Sequence, residues 1–461
     1  MKRRTLLQNL AAGAGALAAA PALHTQARRR PNYIVILLDD LGCTDLGCYG
    51  AADMKTHNID ALAAAGAKFT HWYSNAPVCA PARATLMTGR YPARAGVPTN
   101  GPSLESDQLT MPALLRDNGY RTALVGKWHL GNRKHATPND RGFDYFYGFH
   151  PGCVDFYSHR FYWGEPRTPN YHDLFRNRTE IFEDGLYLTD RLNEEAVGFI
   201  RHNKSNPFFL YLAYNAPHYP MHAPDKYLQR FSGLDFERRI YAAMVSAVDD
   251  GVGMVREELR RLGLLDNTCI IFAGDNGATT EPRAGLDGKP ATAGRNAPYR
   301  GYKFSLFDGG IHVPGIISWP DRVPSGITSP EVVMTMDVLP TVCNSAAVKL
   351  PRDYVIDGRD ILPVAAAGAK SPHEALFWMQ GGQLAVRKGK WKLVINGFTA
   401  ENWPEGRKPL EGDDAMFLSD LEKDPAESTN LRRAHPNVLD ELATMAQKWK
   451  GEMEKFLPPR G

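Results

Sequence analysis

A chain of 461 residues with 43% hydrophobic and 23% charged side chains is long enough for two or three domain-sized units, and its composition excludes disorder, collagen and coiled coil. Lys2, Arg3 and Arg4 account for the whole formal charge of +3, and a neutral body argues against general nucleic-acid binding, which needs a concentrated basic face. Six cysteines in so long a chain do not make a disulfide scaffold, and no Cys-x-x-Cys pair suggests zinc.

The chain opens on a basic start, Thr5-Leu6-Leu7, and a small-residue apolar run from Leu10 to Leu23 that contains Pro21 and is too short to span a bilayer. Residues 1–27 therefore read as an export leader. The Arg3-Arg4 pair favours the twin-arginine type over an ordinary secretory signal. No later run is apolar and long enough for a stable membrane anchor, so the expected location is periplasmic or secreted.

Short apolar runs bounded by polar or glycine residues predict buried strands at Tyr33–Leu38, Thr122–Val125, Phe208–Tyr214, Cys269–Ala273 and Gly315–Ser318. Helical patterns lie between them at Ile59–Ala65, Met111–Asn118, Leu188–His202 and Arg238–Leu262. This alternation predicts an α/β fold, a large mostly parallel sheet covered by helices on both faces, over residues 31–345. Leu376–Met379, Gln383–Arg387 and Trp391–Ile395 read as an antiparallel meander, followed by a helix over Val438–Phe456. Residues 346–461 are thus expected to form a smaller C-terminal α+β domain.

Ligands in open α/β sheets bind at the carboxyl ends of strands. Asp39-Asp40 closes the first predicted strand, Lys127 and His129 follow the second, His218 follows the third, and Asp275-Asn276 closes the fourth. Each alone is as well explained by a turn or a cap. One parallel sheet would bring all four ends to one edge. Three carboxylates and an amide oxygen suit calcium or magnesium rather than zinc. Lys127, His129, His218, Arg83 and Lys303 add donors for an anion, and metal plus cations suits a tetrahedral oxyanion such as sulfate or phosphate.

Residues 77–92 carry Cys-x-Pro-x-Arg at Cys79, Pro81 and Arg83, followed by Thr85-Leu-Met-Thr-Gly-Arg90. This motif resembles the signature of type I sulfatases, of the alkaline-phosphatase-like superfamily, in which the cysteine is oxidised to formylglycine. The resemblance extends through Leu38–Gly42, Asp45–Gly50, Gly126–Gly131, Asp275–Gly277, Tyr302–Pro314 and Phe417–Pro425. It implies a sulfuric ester hydrolase in which Asp39, Asp40, Asp275 and Asn276 bind a calcium ion. Residue 79, as formylglycine, would hydrate to a gem-diol with one oxygen near that metal. Arg83 would hold the diol, Lys127 and Lys303 would bind sulfate oxygens, His129 would assist proton removal, and His218 would lie near the leaving oxygen.

The implied partners are a sulfated carbohydrate or aryl sulfate substrate and, during maturation, a formylglycine-generating enzyme. Ala82 stands where the family more often has Ser. Asp308 and His312 stand where it more often has Glu and Arg, which replaces a permanent cation by a titratable group and points to a charge that changes near neutral pH. A formylglycine-dependent phosphodiesterase or phosphonate monoester hydrolase is the nearest alternative, and an inactive carbohydrate-binding homologue the more distant one. The stretch 132–180, with His150, His159, Arg160, Tyr162, Trp163 and His172, reads equally as a sulfated-sugar surface or as an irregular insertion with its own small core.

Overall fold

The structure, a computed structural model, describes residues 29–162 and 170–457; the leader read at 1–27 and Trp163 lie outside the described residues. The strands of the large sheet are β1 (Asn32–Leu38), β2 (Ala67–Tyr73), β3 (Arg121–Lys127), β4 (Tyr145–Phe149), β5 (Phe175–Arg176), β6 (Thr179–Glu180), β7 (Phe208–Ala213), β8 (Thr268–Gly274), β9 (His312–Ser318) and β10 (Ile327–Met334). Their order is β10-β2-β9-β8-β1-β7-β3-β4-β5-β6. All but β5 and β9 run in one direction, so the sheet is mostly parallel as expected. β1 is buried along its whole length, which is why it reads as one apolar run rather than an alternating one.

The helices are α1 (His57–Ala64), α2 (Cys79–Thr88), α3 (Met111–Asp117), α4 (Leu188–His202), α5 (Asp225–Leu228), α6 (Phe236–Arg261), α7 (Asp308–Ile311), α8 (Val338–Ser345), α9 (Leu362–Ala367) and α10 (Pro436–Met453). Alternate residues of β1 face two cores. Ile34, Ile36 and Leu38 pack with α1, α4 and α6, whereas Tyr33, Val35 and Leu37 pack with α2, α3 and α8. The long α6 starts at Asp235, whose side chain accepts from Arg238 N, and ends on Arg260 and Arg261, a charge order that complements the helix dipole.

A second sheet, β11 (Leu376–Gln380), β12 (Gln383–Lys388), β13 (Trp391–Ile395) and β14 (Met416–Asp420), is an antiparallel meander covered by α10. Its core is continuous with Tyr73, Leu306, Phe307, Ile311 and Met334 at the margin of the large sheet. It also grips the segment before α7. The Gln383 side chain accepts from Leu306 N (3.1 Å) and donates to Phe304 O (2.8 Å), Tyr302 N donates to Thr399 O (2.9 Å), and Ser305 Oγ donates to Phe398 O (2.6 Å).

A buried ion cluster locks this joint. Lys392 Nζ lies 2.6 Å from Asp308 Oδ1 and 3.1 Å from Glu427 Oε1, Tyr73 OH donates to Asp308 Oδ2 (2.7 Å), and Asp308 N donates to Glu427 Oε2 (2.6 Å). Burial opposes charge on Asp308, but Lys392, by charge and hydrogen bond, together with the nearby Arg387 and His312 holds the carboxyl at about 2. Burial and the charge of Asp308 push Glu427 up to about 7 against the pull of Lys392.

His312 corrects the expectation drawn from its sequence. Burial takes it down to about 4, so it is neutral throughout the physiological range and has no charge to lose near pH 7. It donates through Nε2 to Thr70 O (2.7 Å) and stacks on Tyr73. Asp308 and His312 thus serve the joint between the sheets. All six cysteines are free thiols.

Removing the Lys392 ammonium takes away the cation in direct contact with both buried carboxyls. Lys392→Met is expected to lower stability by about 3–5 kcal/mol, the scale of a broken buried ion pair. Chemical denaturation of the two proteins would measure it, and a loss below about 1 kcal/mol would contradict the assigned role.

Candidate active site

The four predicted strand ends do meet. β1, β3, β7 and β8 are mutually parallel, so Asp39-Asp40, Lys127, His218 and Asp275-Asn276 all emerge at one edge. Two further routes lead there. β2 also runs this way and feeds α2, which begins at Cys79. β9 runs the opposite way, so the chain preceding it, with Lys303, reaches the same edge from the other end. Gly126 allows the approach of β3: a Cβ there would stand 1.9 Å from Ala213 O.

The motif around Cys79 makes local sense as a helix. Pro81 lies in the first turn, where a missing N–H costs nothing; Ala80, Ala82 and Ala84 are strong helix formers; and Gly89, at φ 67, closes the helix by donating to Thr85 O. Every residue of α2 is buried. Val78 offers no side-chain cap. Asn100 supplies one from a distance, its Oδ1 accepting from Ala80 N at 2.9 Å. Cys79 therefore sits at the positive end of a helix, and Arg83 lies four residues on along the same face.

Around Cys79 the charges interlock. Cys79 Sγ donates to Asp39 Oδ1 (3.2 Å) and lies 4.0 Å from Asp40 Oδ1. Lys127 pairs with Asp39. Arg83 holds Asp275 Oδ2 through Nε (3.2 Å) and Nη2 (2.9 Å) and stands 3.7 Å from Asp39. Lys303 Nζ is 2.9 Å from Asp40 Oδ1, and Asn276 Nδ2 donates to the same carboxylate at 2.7 Å. His218 Nε2 is 3.6 Å from Asp40 Oδ2, and its Nδ1 bonds Tyr219 O at 2.7 Å. Asp39, Arg83, Lys127 and Asn276 have no solvent exposure at all.

Burial dictates the protonation states. It opposes charge on Asp39, but Lys127, Arg83 and Lys303 together hold that carboxyl well below its ordinary range. Asp40 is pushed up to about 6 by burial and the neighbouring Asp39, against the pull of Lys303. Burial and Asp39 push Asp275 up to about 7, against Arg83 and Lys127. Burial, then the charge of Asp39, drives the Cys79 thiol well above its usual value. His129 and His218 are driven down by burial and are neutral.

The donor set fits a hard divalent cation. Asp39, Asp40, Cys79 and His218 offer ligand atoms within 4.8 Å of one another, and Asp275 and Asn276 lie against them. The buried Asn276 Oδ1 has no hydrogen-bond partner. A 2+ charge would relieve the repulsion that raises Asp40 and Asp275. Backbone strain gathers at the same place: Asp40 (φ 59), His129 (φ 58) and Phe304 (φ 81) all occupy the left-handed region.

Three contributors are not apparent from the motifs. Asn100 caps α2, Tyr211 OH lies 3.5 Å from Arg83 Nη1, and Glu281 lies 3.7 Å from Lys303. Tyr211 sits inside a predicted strand and Glu281 follows Asp275-Asn276 by a few residues, but neither stands in a motif.

A family model described as Sulfatase matches residues 31–348. The chain belongs to the sulfatase family. That family comprises sulfuric ester hydrolases, and the named relatives of this sulfatase agree with it. Arylsulfatase J of Mus musculus is 31% identical over 92% of this chain and 76% of its own length. N-acetylgalactosamine-6-sulfatase of Rattus norvegicus is 31% identical over 96% of this chain and 89% of its own. The crystal structure of Ps i-CgsB in complex with k-i-k-neocarrahexaose matches with a TM-score of 0.81 at 32% identity, covering 91% of this chain and 93% of that one.

The raised carboxyls of this sulfatase make metal binding proton-linked. Asp40 and Asp275 are partly protonated at pH 6, and a cation binds their ionised forms. Affinity for a divalent cation is therefore expected to rise as pH increases from about 5 to 8, with protons released on binding. Calorimetry at pH 6 in buffers of different ionisation heat would detect the release; an affinity independent of pH would contradict it.

Proposed function

We propose that this sulfatase hydrolyses sulfate monoesters of carbohydrates with a formylglycine made from Cys79, beside a calcium ion held by Asp39, Asp40, Asp275 and Asn276. The observation that carries this reading is the position of Cys79 Sγ: at the N-terminus of α2, 3.2 Å from Asp39, inside a buried ring of carboxylates and cations. An unmodified thiol there is poorly suited to attack, because burial beside Asp39 keeps it protonated. Oxidation by a formylglycine-generating enzyme would remove that obstacle. When present, the hydrated aldehyde supplies a nucleophilic oxygen with a second hydroxyl for later elimination, and calcium supplies fixed positive charge. The four oxygen ligands Asp39, Asp40, Asp275 and Asn276 suit calcium, which accepts oxygen donors in flexible geometry.

The residues of the chain divide the remaining work. Lys127 and Lys303 each exchange part of a carboxylate contact for sulfate oxygens and offset their charge. Arg83 steadies residue 79 from the same helix face while anchored on Asp275. His129 has a buried and unpartnered Nδ1 and accepts a proton only once an anion offsets Lys127 and Arg83, because burial and those cations oppose its charging. His218, neutral and bonded through Nδ1 to Tyr219 O, donates to the leaving oxygen only after taking up a proton, which an arriving anion favours. Sulfated sugars are supported as substrates by the names of the relatives, and export by the basic and apolar leader. No helix among the described residues is long and apolar enough to cross a membrane.

Two measurements test this. Peptide mass spectrometry of active enzyme is expected to find residue 79 oxidised, and Cys79→Ala to abolish turnover of 4-nitrophenyl sulfate without loss of folding; full activity with an intact thiol would sink the proposal, as would faster turnover of a phosphate diester. His218→Ala is expected to slow sugar sulfates by about a hundredfold and 4-nitrophenyl sulfate by less than about tenfold, because an acidic phenol needs little protonation on leaving. Equal losses on both substrates would leave His218 a binding group only.

A further inference from the structure

Beside the catalytic cluster lies a cavity of about 580 Å³ that the chemistry of sulfate cleavage does not use. His129 forms part of its lining, together with Asn100, Arg133, His150, Phe161 and Tyr171. One contact ties it to the start of the helix that carries residue 79, and a second to His129. Asn100, on the cavity wall, accepts from the backbone N–H next to Cys79 at 2.9 Å. Gly152, also on the wall, lies so close to His129 that a Cβ would stand 2.8 Å from Nε2. Whatever fills this space is therefore attached to, or adjacent to, the group undergoing reaction. The volume falls within the range of small-molecule sites, about 300–1,000 Å³, and exceeds what one sulfate group occupies.

The walls combine an apolar face with fixed positive charge. Phe161 and Tyr171 stack at 5.2 Å with an interplanar angle of 19°, and Tyr171 is 41% exposed, a flat surface suited to the C–H face of a sugar ring. His150 is held rigidly: its backbone N (2.8 Å) and Nδ1 (3.1 Å) both bond Asp173 Oδ1, and Asp173 is only 4% exposed. That leaves Nε2 as the uncommitted nitrogen of a ring lining the cavity. Arg133 is exposed and forms no ion pair with the described residues. Glu105 is the one carboxylate among the described residues of the lining.

We propose that this cavity holds the sugar residue adjoining the sulfated one, and that Arg133 and His150 recognise a second anionic group on it, a sulfate ester or a carboxylate. The inference rests on the carbohydrate-sulfatase reading above and adds that the preferred substrate is an oligosaccharide with more than one negative charge. Tyr171 and Phe161 carry the ring; Arg133 offers a planar fork matched to either anion.

The test is to measure binding to the Cys79→Ala protein by calorimetry, alone and with Arg133→Gln, His150→Gln or Tyr171→Ala added. The probes are 6-sulfated N-acetylgalactosamine, a chondroitin 6-sulfate disaccharide with a neighbouring carboxylate, and a carrageenan tetrasaccharide with a neighbouring sulfate. At least one oligosaccharide is expected to bind about tenfold or more tightly than the monosaccharide, and Arg133→Gln to abolish that preference, the scale of one lost charge-assisted hydrogen bond. Which oligosaccharide gains identifies the anion. Equal affinity for all three probes overturns the proposal, as does a preference lost with Tyr171→Ala but kept with Arg133→Gln, which would mean a neutral sugar site. Turnover of 4-nitrophenyl sulfate by the unsubstituted enzyme separates the two readings: its absence defeats the sulfatase mechanism, whereas the binding result decides the cavity on its own.

Discussion

Asp39 lies between Cys79 Sγ, Lys127 and Arg83 with no access to water, and an ionised carboxylate in that position survives only while its cations stay in place. The architecture of the edge follows from that need. Lys127 comes from β3 and Arg83 from α2, both built into the large sheet and its helical cover, whereas Lys303 comes from the segment before α7 that the second sheet grips. Asp39 takes the charge, and its neighbours Asp40 and Asp275 are left poised for a stronger counter-ion than Lys303 and Arg83 provide. The left-handed backbone at Asp40, His129 and Phe304 is strain that this over-determined packing can hold.

The cluster at Lys392 solves the same problem by other means. There Asp308 and Glu427 share the Lys392 ammonium, Asp308 N bonds Glu427, Tyr73 OH bonds Asp308 and is itself held by Arg387, and the second carboxyl is pushed up to about 7. That arrangement is closed, whereas the one at Asp39 is open to a cation and an anion. The contrast explains why Asp308 and His312, although embedded in a stretch that resembles a family block, belong to the mechanics of the joint.

Much of the site was legible because its metal-binding and cationic residues punctuate strands that are buried on both faces. β1, β7 and β8 read as unbroken apolar runs, and the polar groups that end them stand out. β2 was not legible: Lys68, Thr70 and His71 are only partly buried and break the run, although Ala67, Phe69, Trp72 and Tyr73 are fully buried. α2 was missed as a helix because it is buried on every side and shows no apolar periodicity; the family motif found Cys79 where the pattern could not. The reversed direction of β9 depends on pairing partners far away in the chain, which no local pattern encodes. The neutral state of His312 depends on burial, which composition does not reveal. Of the residues in the 132–180 stretch singled out for sugar binding, His150 lines the cavity beside His129, whereas His159 is buried against Leu186 O, so the stretch is both a surface and a small core.

The family match ends at residue 348, yet the hold on Lys303 does not. Phe304 and Leu306 hang on the side chain of Gln383, Tyr302 and Ser305 on the backbone of Thr399 and Phe398, and Asp308 on Lys392 and Glu427. A polypeptide stopped at the match boundary would keep every group assigned to sulfate cleavage and lose the scaffold that aims one of its two lysines. The heritable unit of activity is accordingly longer than the signature that identifies it: insertions or deletions between residues 383 and 427 would act as active-site changes.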